Sequence, residues 1–439
     1  MPFNICKLRL QPFFLMLCIL QAVLLLLVHI FGNIFVMLPC FFMFLVLSVF
    51  ASIQGVALPF LLFFLPFSPI LKFRQGMISF YTLALLFVFV ICFLKYFRSV
   101  SKQHLIPGSI LIALAVIVRL TNALPINRSF LFFAVSLLLI PFIAKEFDIK
   151  YDFYWLVVFF ASGIILASLF AQFSINFYPI NQYIVIFNLP DIVRYSGFYR
   201  DPNFYSAHVS CAFAGVLVLL AQKLNVRRFI SILFLALALL YCGLISVSKT
   251  FILVTVGLSL IWFAGFILKK RTSSKKTILF LILSLVILVG IYFAFSDLFN
   301  KIILRFLRDN DVSDFTTGRT EIWVNYLKAM FENPALLLFG KGGIYSYVNN
   351  RASHSTFIQV VYQYGFVGTA VIVFWIMSFG RLALENIRLC RKNLALILVV
   401  LIGVFGPWFA LDYLFFDEFF LMFLFCFAAF RCIGESEIF

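Results

Sequence analysis

The sequence predicts an all-α polytopic membrane protein of about 12–14 transmembrane helices with one large extracytoplasmic helical loop. Of its 439 residues, 64% are hydrophobic and 12% charged, and the mean hydropathy is +1.11. Soluble domains run at about 45–50% apolar and about 25% charged. Apolar runs recur along nearly the whole chain, and each is long enough to cross a hydrocarbon core of about 30 Å, which takes roughly 20 helical residues. None of them alternates apolar and polar residues in segments of about 10, so a membrane β-barrel is excluded.

In chain order the spans are expected near residues 12–30, 33–51, 54–70, 78–96, 105–121, 127–145, 153–173, 203–222, 228–245, 249–268, 277–296, 357–379, 394–411 and 414–432. The opening stretch MPFNICKLRLQPFFLMLCILQAVLLLLVHI has the basic start and apolar run of a signal peptide but no small-residue cleavage site. It reads as an uncleaved first helix. With Lys7 and Arg9 holding the N-terminus inside, every strongly basic loop falls on the cytoplasmic side. Those loops hold Lys95/Arg98/Lys102, Lys223/Arg227/Arg228, Lys269/Lys270/Arg271/Lys275/Lys276 and Arg381/Arg388/Arg391/Lys392. The net charge of +17 is therefore mainly topology, and no nucleic-acid partner is expected.

This alternation divides the chain into three parts. Residues 1–296 hold helices 1–11 with an outer loop at 174–202, residues 297–356 form an extracytoplasmic loop with amphipathic helices, and residues 357–439 hold helices 12–14 and a cytoplasmic tail. In the long loop, LFNKIILRFLR (298–308) sets Leu298, Ile302 and Phe306 on one stripe and Lys301, Arg305 and Arg308 on another, the pattern of a helix lying in the interface. A second helix is expected at 319–332, ended by Asn333-Pro334, with GKGG (340–343) following as a turn. The nine cysteines include no CxxC pair and none lies in the long loop. Neither disulfides, a metal site nor a cofactor is expected.

Chemistry is sought in the outer segments, because loops on a rigid scaffold carry function. Of the four histidines, His29 and His208 lie in spans and His104 in a cytoplasmic loop. His354 alone stands at the outer mouth of a helix, in RASHSTFIQVVYQYGFVG. An imidazole of ordinary pKa about 6.5 suits proton transfer there, and it equally suits a histidine marking the helix's entry into lipid, with Ser355 as cap. Arg319 opens an external helix whose first turn can dock an anion. It reads also as a surface arginine paired with Glu321 or Asp314. In RYSGFYRDPNF, Arg194 and Arg200 precede a span at which Asp201 reads as N-cap and Pro202 as first helical residue. Lys249 falls at an outer turn as a possible snorkelling cation, Arg351 beside the histidine, and Asp412, Asp417 and Glu418 at the turn between the last spans. Cations, one imidazole and carboxylates on one face are what binding a diphosphate and deprotonating a hydroxyl require.

At these residues the chain resembles the O-antigen polymerase and ligase superfamily. The resemblance rests on RYSGFYRDPNFYSAH (194–208), TGRTEIWVNYLKAMFENPALLLFGKG (317–342) and SHSTFIQVVYQYGFVGTAVIVF (353–374). It departs from the family where Ser355 replaces an asparagine after the histidine and where Lys249 replaces an arginine after Ser248. The resemblance implies a GT-C-like fold in a bacterial cytoplasmic membrane, with both termini cytoplasmic and the active site on the outer face. It implies metal-independent, inverting transfer of a glycan from undecaprenyl diphosphate. By the matched motifs Arg194 and Arg319 would bind the diphosphate with Lys249 assisting, and His354 would act as general base or orient the acceptor; by their place on the outer face alone, Arg200 and Arg351 would bind substrate and Asp412 or Asp417 would orient the histidine. The partners so implied are an undecaprenyl diphosphate-linked oligosaccharide, membrane lipid, and a chain-length regulator or flippase. The leading reading is a polysaccharide polymerase of O-antigen or capsule assembly. The alternatives are a ligase moving the finished chain to another acceptor and, in another class, a polysaccharide or lipid transporter, which would call for broken or charged helices at the bilayer midplane.

Overall fold

The computed structural model of the chain describes residues 3–74, 77–125, 128–145, 152–184, 187–189, 192–199, 201–268, 296–307, 318–343, 347–383, 393–412 and 417–435. The helices run α1 (Phe3–Phe31), α2 (Ile34–Gln54), α3 (Ala57–Phe64), α4 (Phe80–Tyr96), α5 (Lys102–Thr121), α6 (Arg128–Ala144), α7 (Phe153–Ser174) and α8 (Pro202–Leu220). They continue as α9 (Val226–Ile245), α10 (Lys249–Leu268), α11 (Ser296–Leu307), α12 (Arg319–Phe331), α13 (Pro334–Phe339), α14 (Thr356–Ala383), α15 (Leu394–Phe405) and α16 (Asp417–Glu435). A hairpin of β1 (Phe187–Leu189) and β2 (Ile192–Arg194) pairs antiparallel, with Phe187 opposite Arg194.

Among the described residues, eight helices are long and apolar enough to cross a membrane, and shorter apolar helices cover Ala57–Phe67, Phe80–Tyr96, Phe133–Ala144, Leu394–Phe409 and Phe420–Gly434. The protein is an all-α polytopic membrane protein. In hydrocarbon only a helix or a closed barrel pairs its own backbone groups, which is why each apolar run folds as it does. Side-chain caps start several helices, from Asn33, Ser79, Ser101, Asp152, Asp201 and Asn225. The span expected at 277–296 lies outside the described residues, apart from its last, as do Lys269, Lys270, Arg271, Lys275, Lys276, Arg388, Arg391 and Lys392.

The core is organised about α8, which is 83% buried over its membrane window. It packs against α7, α9, α10, α15 and α16. Close approach depends on small residues: a Cβ on Gly163 of α7 would stand 2.1 Å from the Phe63 carbonyl of α3. At one end of the bundle His104 bonds Ser378, Gln222 bonds Cys432, Asn393 bonds the Ile433 carbonyl and Arg228 pairs with Asp152. At the other end Arg119 bonds the Gly342 and Gly343 carbonyls, and Thr356 bonds the Leu411 carbonyl.

Two expectations need correction. His104 is not in a loop but buried in the first turn of α5, where its Nδ1 lies 3.2 Å from Ser378 Oγ. The expected straight span at 357–379 is broken at Gly365, whose φ of 67° and ψ of −178° are not helical. The break has a physical cause. The GKGG turn inserts here, and Lys341 N and Gly343 N donate to the Gln363 carbonyl at 2.9 and 3.1 Å. Backbones then approach so closely that a Cβ on Gly365 would lie 2.3 Å from the Leu338 carbonyl, and one on Gly340 2.5 Å from Gly365 N. Only glycine fits either position. The turn is held from behind by Arg119, whose Nε, Nη1 and Nη2 reach the carbonyls of Gly342, Pro125 and Gly343.

Candidate active site

The DPNF motif builds the first wall. Asp201 caps α8 by accepting from Asn203 N at 2.7 Å, with Pro202 as first helical residue, as the motif implies. The segment before it is tied down at Tyr195, whose N–H donates to the Ile245 carbonyl, and at Tyr199, whose hydroxyl donates to the Leu65 carbonyl. Arg194, at the end of β2, is thereby swung over the α9–α10 corner. Its Nε donates to the Ser246 carbonyl at 3.0 Å and its Nη2 to Asn203 Oδ1 at 3.3 Å. Ser248 Oγ donates to the same Asn203 oxygen at 2.8 Å. Asn203 thus stitches the DPNF block to the SVSK block, segments far apart in the chain.

The second wall comes from the long loop. Gly318, at φ 74°, enters α12 without a side-chain cap, and Arg319 stands at the positive end of that helix. Ile322, Tyr326 and Met330 of α12 pack with Tyr362 of α14. Trp323 Nε1 donates to the Ser353 carbonyl and the Tyr326 hydroxyl to the Arg351 carbonyl, both at 3.0 Å. These bonds fasten α12 to the segment that carries His354. That segment begins with a tight turn, Val348 to Arg351, in which Asn349 and Asn350 take positive φ. His354 itself has φ 49°, a conformation rare for a residue with a Cβ and most often retained where function needs it. Ser353 Oγ accepts from Ser355 N and the Thr356 hydroxyl donates to Leu411 O, and both bonds tie the start of α14.

The electrostatics show which residues share one site. Burial pushes the Arg194 guanidinium down to about 9; Arg305 of α11 and Arg319 push the same way and Asp201 opposes. Arg194 remains a cation at neutral pH. Burial also lowers the Arg319 pKa, and Asp201 raises it. His354 has an exposed face, yet the protein packed about it lowers its pKa below the ordinary value, Arg319 adds to the lowering, and Asp201 opposes. Arg194 is thus coupled to Arg305, Arg319 and Asp201, and His354 to Arg319 and Asp201, across loops widely separated in sequence. The neutral imidazole favoured here can accept a proton beside a cluster of guanidinium groups.

Other expected residues are placed differently. Lys249 is the first residue of α10, its Nζ 5.8 Å from the Phe306 ring centre. The side chain of Arg351 is exposed, and its backbone closes the turn with Val348. Asp412 is buried beside Tyr326, on which its charge acts; among the described residues the acid acting on His354 is Asp201. Of Asp417 the backbone is described, as the first residue of α16, and Arg200 lies outside the described residues. His29, His104 and His208 are buried. Sequence reasoning gave Asp201 only a capping role and Arg305 only a stripe on an interfacial helix. The signal for Asp201 was its place at the head of the motif, and for Arg305 its place at the entrance of the largest outer loop.

The family described as O-antigen ligase matches residues 233–373. This match supports the chain as a member of the O-antigen polymerase and ligase superfamily. No curated protein matches the chain. The superfamily match takes in Lys249, Arg305, Arg319 and His354, whereas Arg194 and Asp201 lie before it and join the site through the fold. The match covers less than half of the chain, and the family so described suggests a glycosyl-transferring enzyme.

Proposed function

We propose that the protein is a polysaccharide polymerase of O-antigen or capsule assembly, which transfers a growing glycan from undecaprenyl diphosphate to a lipid-linked repeat unit. The observation that carries this reading is the convergence of Arg194, Arg319 and His354 at one end of the bundle, about the capped head of α8. A hydroxyl of the acceptor sugar attacks the anomeric carbon as the bond from that carbon to the diphosphate oxygen breaks. The electron pair leaves with the diphosphate, the configuration inverts, and the hydroxyl proton passes to a ring nitrogen of His354. Charge builds on the leaving diphosphate, and guanidinium groups already placed around it stabilise the transition state more than the ground state. The reaction in this reading needs no metal ion, because the arginines supply the positive charge.

The reading places the site on the outer face of a bacterial cytoplasmic membrane, with residues 297–356 extracytoplasmic and both termini inside. Support comes from the basic residues Lys95, Arg98, Lys223, Arg227 and Arg228, which gather at the end of the bundle opposite the site. A chain-length regulator or a flippase would be its partner in the membrane. One observation favours a second reading, that of a ligase: the matched family is described as O-antigen ligase. A deletion strain separates the two by its lipid-linked glycans. Loss of a polymerase leaves single repeat units on the carrier, loss of a ligase leaves finished long chains there, and an unchanged pattern overturns both readings.

A further inference from the structure

The helix α12 has an apolar face on each of two sides. Ile322, Tyr326 and Met330 form the buried one, packed on Tyr362 of α14. The other is bare. Val324 and Phe331 are 61% and 68% exposed, with Leu327 exposed between them, at the i, i+3, i+7 spacing of one helical face. The polar edge lies elsewhere, where Glu321, Lys328 and Glu332 are exposed and Lys328 pairs with Glu332. Bare apolar surface of this kind marks a place where something apolar docks. Two observations say what covers it. Arg319, Trp323, Leu327 and Phe331 follow at four-residue steps, so a guanidinium, an indole and two hydrocarbon side chains run in one ridge along about 18 Å of helix. Trp323 is bonded to the Ser353 carbonyl, next to His354, so the ridge starts at the candidate site. The surface then continues toward lipid. Beyond the Asn333-Pro334 start of α13, exposed Leu338 and Phe339 reach the break at Gly365, where a Cβ would lie 2.3 Å from the Leu338 carbonyl. There they meet exposed Phe366 and Val367, the head of a stripe that Val373, Phe374 and Met377 continue along a helix able to cross the membrane.

We propose that the bare face of α12 and α13 seats the isoprenoid chain of the diphosphate donor. Arg319 holds the anionic head, Leu327 and Phe331 cover the first stretch of the chain, and Leu338 and Phe339 pass it on to the bilayer. The inference rests on the diphosphate reading above and deepens it by assigning the lipid part of the substrate a place. A cation at one end of a ridge and hydrocarbon along the rest match an amphiphile with a charged head and a long tail. Apolar area covered on both partners then supplies affinity that does not depend on which sugar the carrier bears.

The test compares binding of geranylgeranyl diphosphate and of inorganic pyrophosphate to the purified full-length protein in detergent. The double variant Leu327→Gln/Phe331→Gln changes exposed positions to a good helix former, so α12 persists. It is expected to weaken geranylgeranyl diphosphate roughly tenfold and to leave pyrophosphate unchanged. Arg319→Gln is expected to weaken both ligands, and Lys328→Gln, on the polar edge of the same helix, to bind both like the wild type. Wild-type affinity for geranylgeranyl diphosphate in the double variant, with Arg319→Gln weakened, makes the face only a rest on bulk lipid; it overturns the inference and leaves the diphosphate reading standing. An equal loss of pyrophosphate in the double variant also overturns it, as a displacement of Arg319 by a disturbed helix. If Arg319→Gln weakens neither ligand, the diphosphate reading falls and takes this inference with it.

Discussion

At the scale of single residues, the proposed site turns on a histidine whose pKa is lowered by the protein packed about it and by Arg319. His354→Ala is expected to lower the rate of polymer formation by roughly 10²–10⁴-fold, the usual contribution of a positioned base, with normal accumulation of the protein. Polymer of near-normal length from this variant would remove His354 from the mechanism. Because its pKa lies below the ordinary histidine value, the neutral form in which His354 would act predominates at pH 7 and is lost as pH falls through that lowered pKa. Arg319 lowers the pKa and Asp201 raises it. The acid limb of the rate profile should therefore move to higher pH in Arg319→Gln and to lower pH in Asp201→Asn. Asparagine caps a helix about as well as aspartate, so Asp201→Asn isolates the charge; opposite or absent shifts in both variants would show that these residues do not act on the imidazole. His354, Arg194 and Arg319 could be singled out from residue type and position, because the sequence places each shortly before or at the start of an expected helix. Arg305 could not, since an amphipathic stripe looks alike whether its basic face meets solvent or a site.

At the scale of elements, the broken α14 and the inserted GKGG turn form an interlock. The Gln363 carbonyl freed by the break is paired with Lys341 N and Gly343 N, which is how irregular backbone survives at depth in a membrane protein. Gly365→Ala would force a Cβ toward the Leu338 carbonyl at φ 67°, and should destabilise the protein by on the order of 1–3 kcal/mol, measured by thermal unfolding in detergent. Arg119→Leu leaves the carbonyls of Gly342, Pro125 and Gly343 without their charged donor. On the order of 3 kcal/mol is expected, and a melting temperature equal to that of the wild type would show that the turn holds itself. Helix periods foretold α11 and α12 with good bounds, since each has a clear apolar stripe. They could not foretell the break, because a single glycine in an otherwise helical pattern does not mark one and the cause lies in a turn from another part of the chain.

At the scale of the whole molecule, polar contacts collect at the two ends of the bundle. His104–Ser378, Gln222–Cys432 and Arg228–Asp152 stand at the end rich in basic residues, and the arginine cluster with His354 stands at the other. A cysteine placed at the exposed Arg351 should react with a membrane-impermeant thiol reagent in intact cells, and one at the exposed Arg227 only after the membrane is opened. The reverse pattern would invert the proposed orientation. By itself the sequence determined the membrane class, the order of most spans and the motifs that precede them. All of these depend on hydropathy, charge and capping, which act over a single turn or a single span. Only the tertiary structure decided that Asp201 is, among the described residues, the acid acting on His354, that Asn203 joins two distant blocks, that Arg119 holds the turn that breaks α14, and that Arg305 acts on Arg194. Those are contacts between segments far apart in the chain, and they are set by how helices pack rather than by any pattern along one of them.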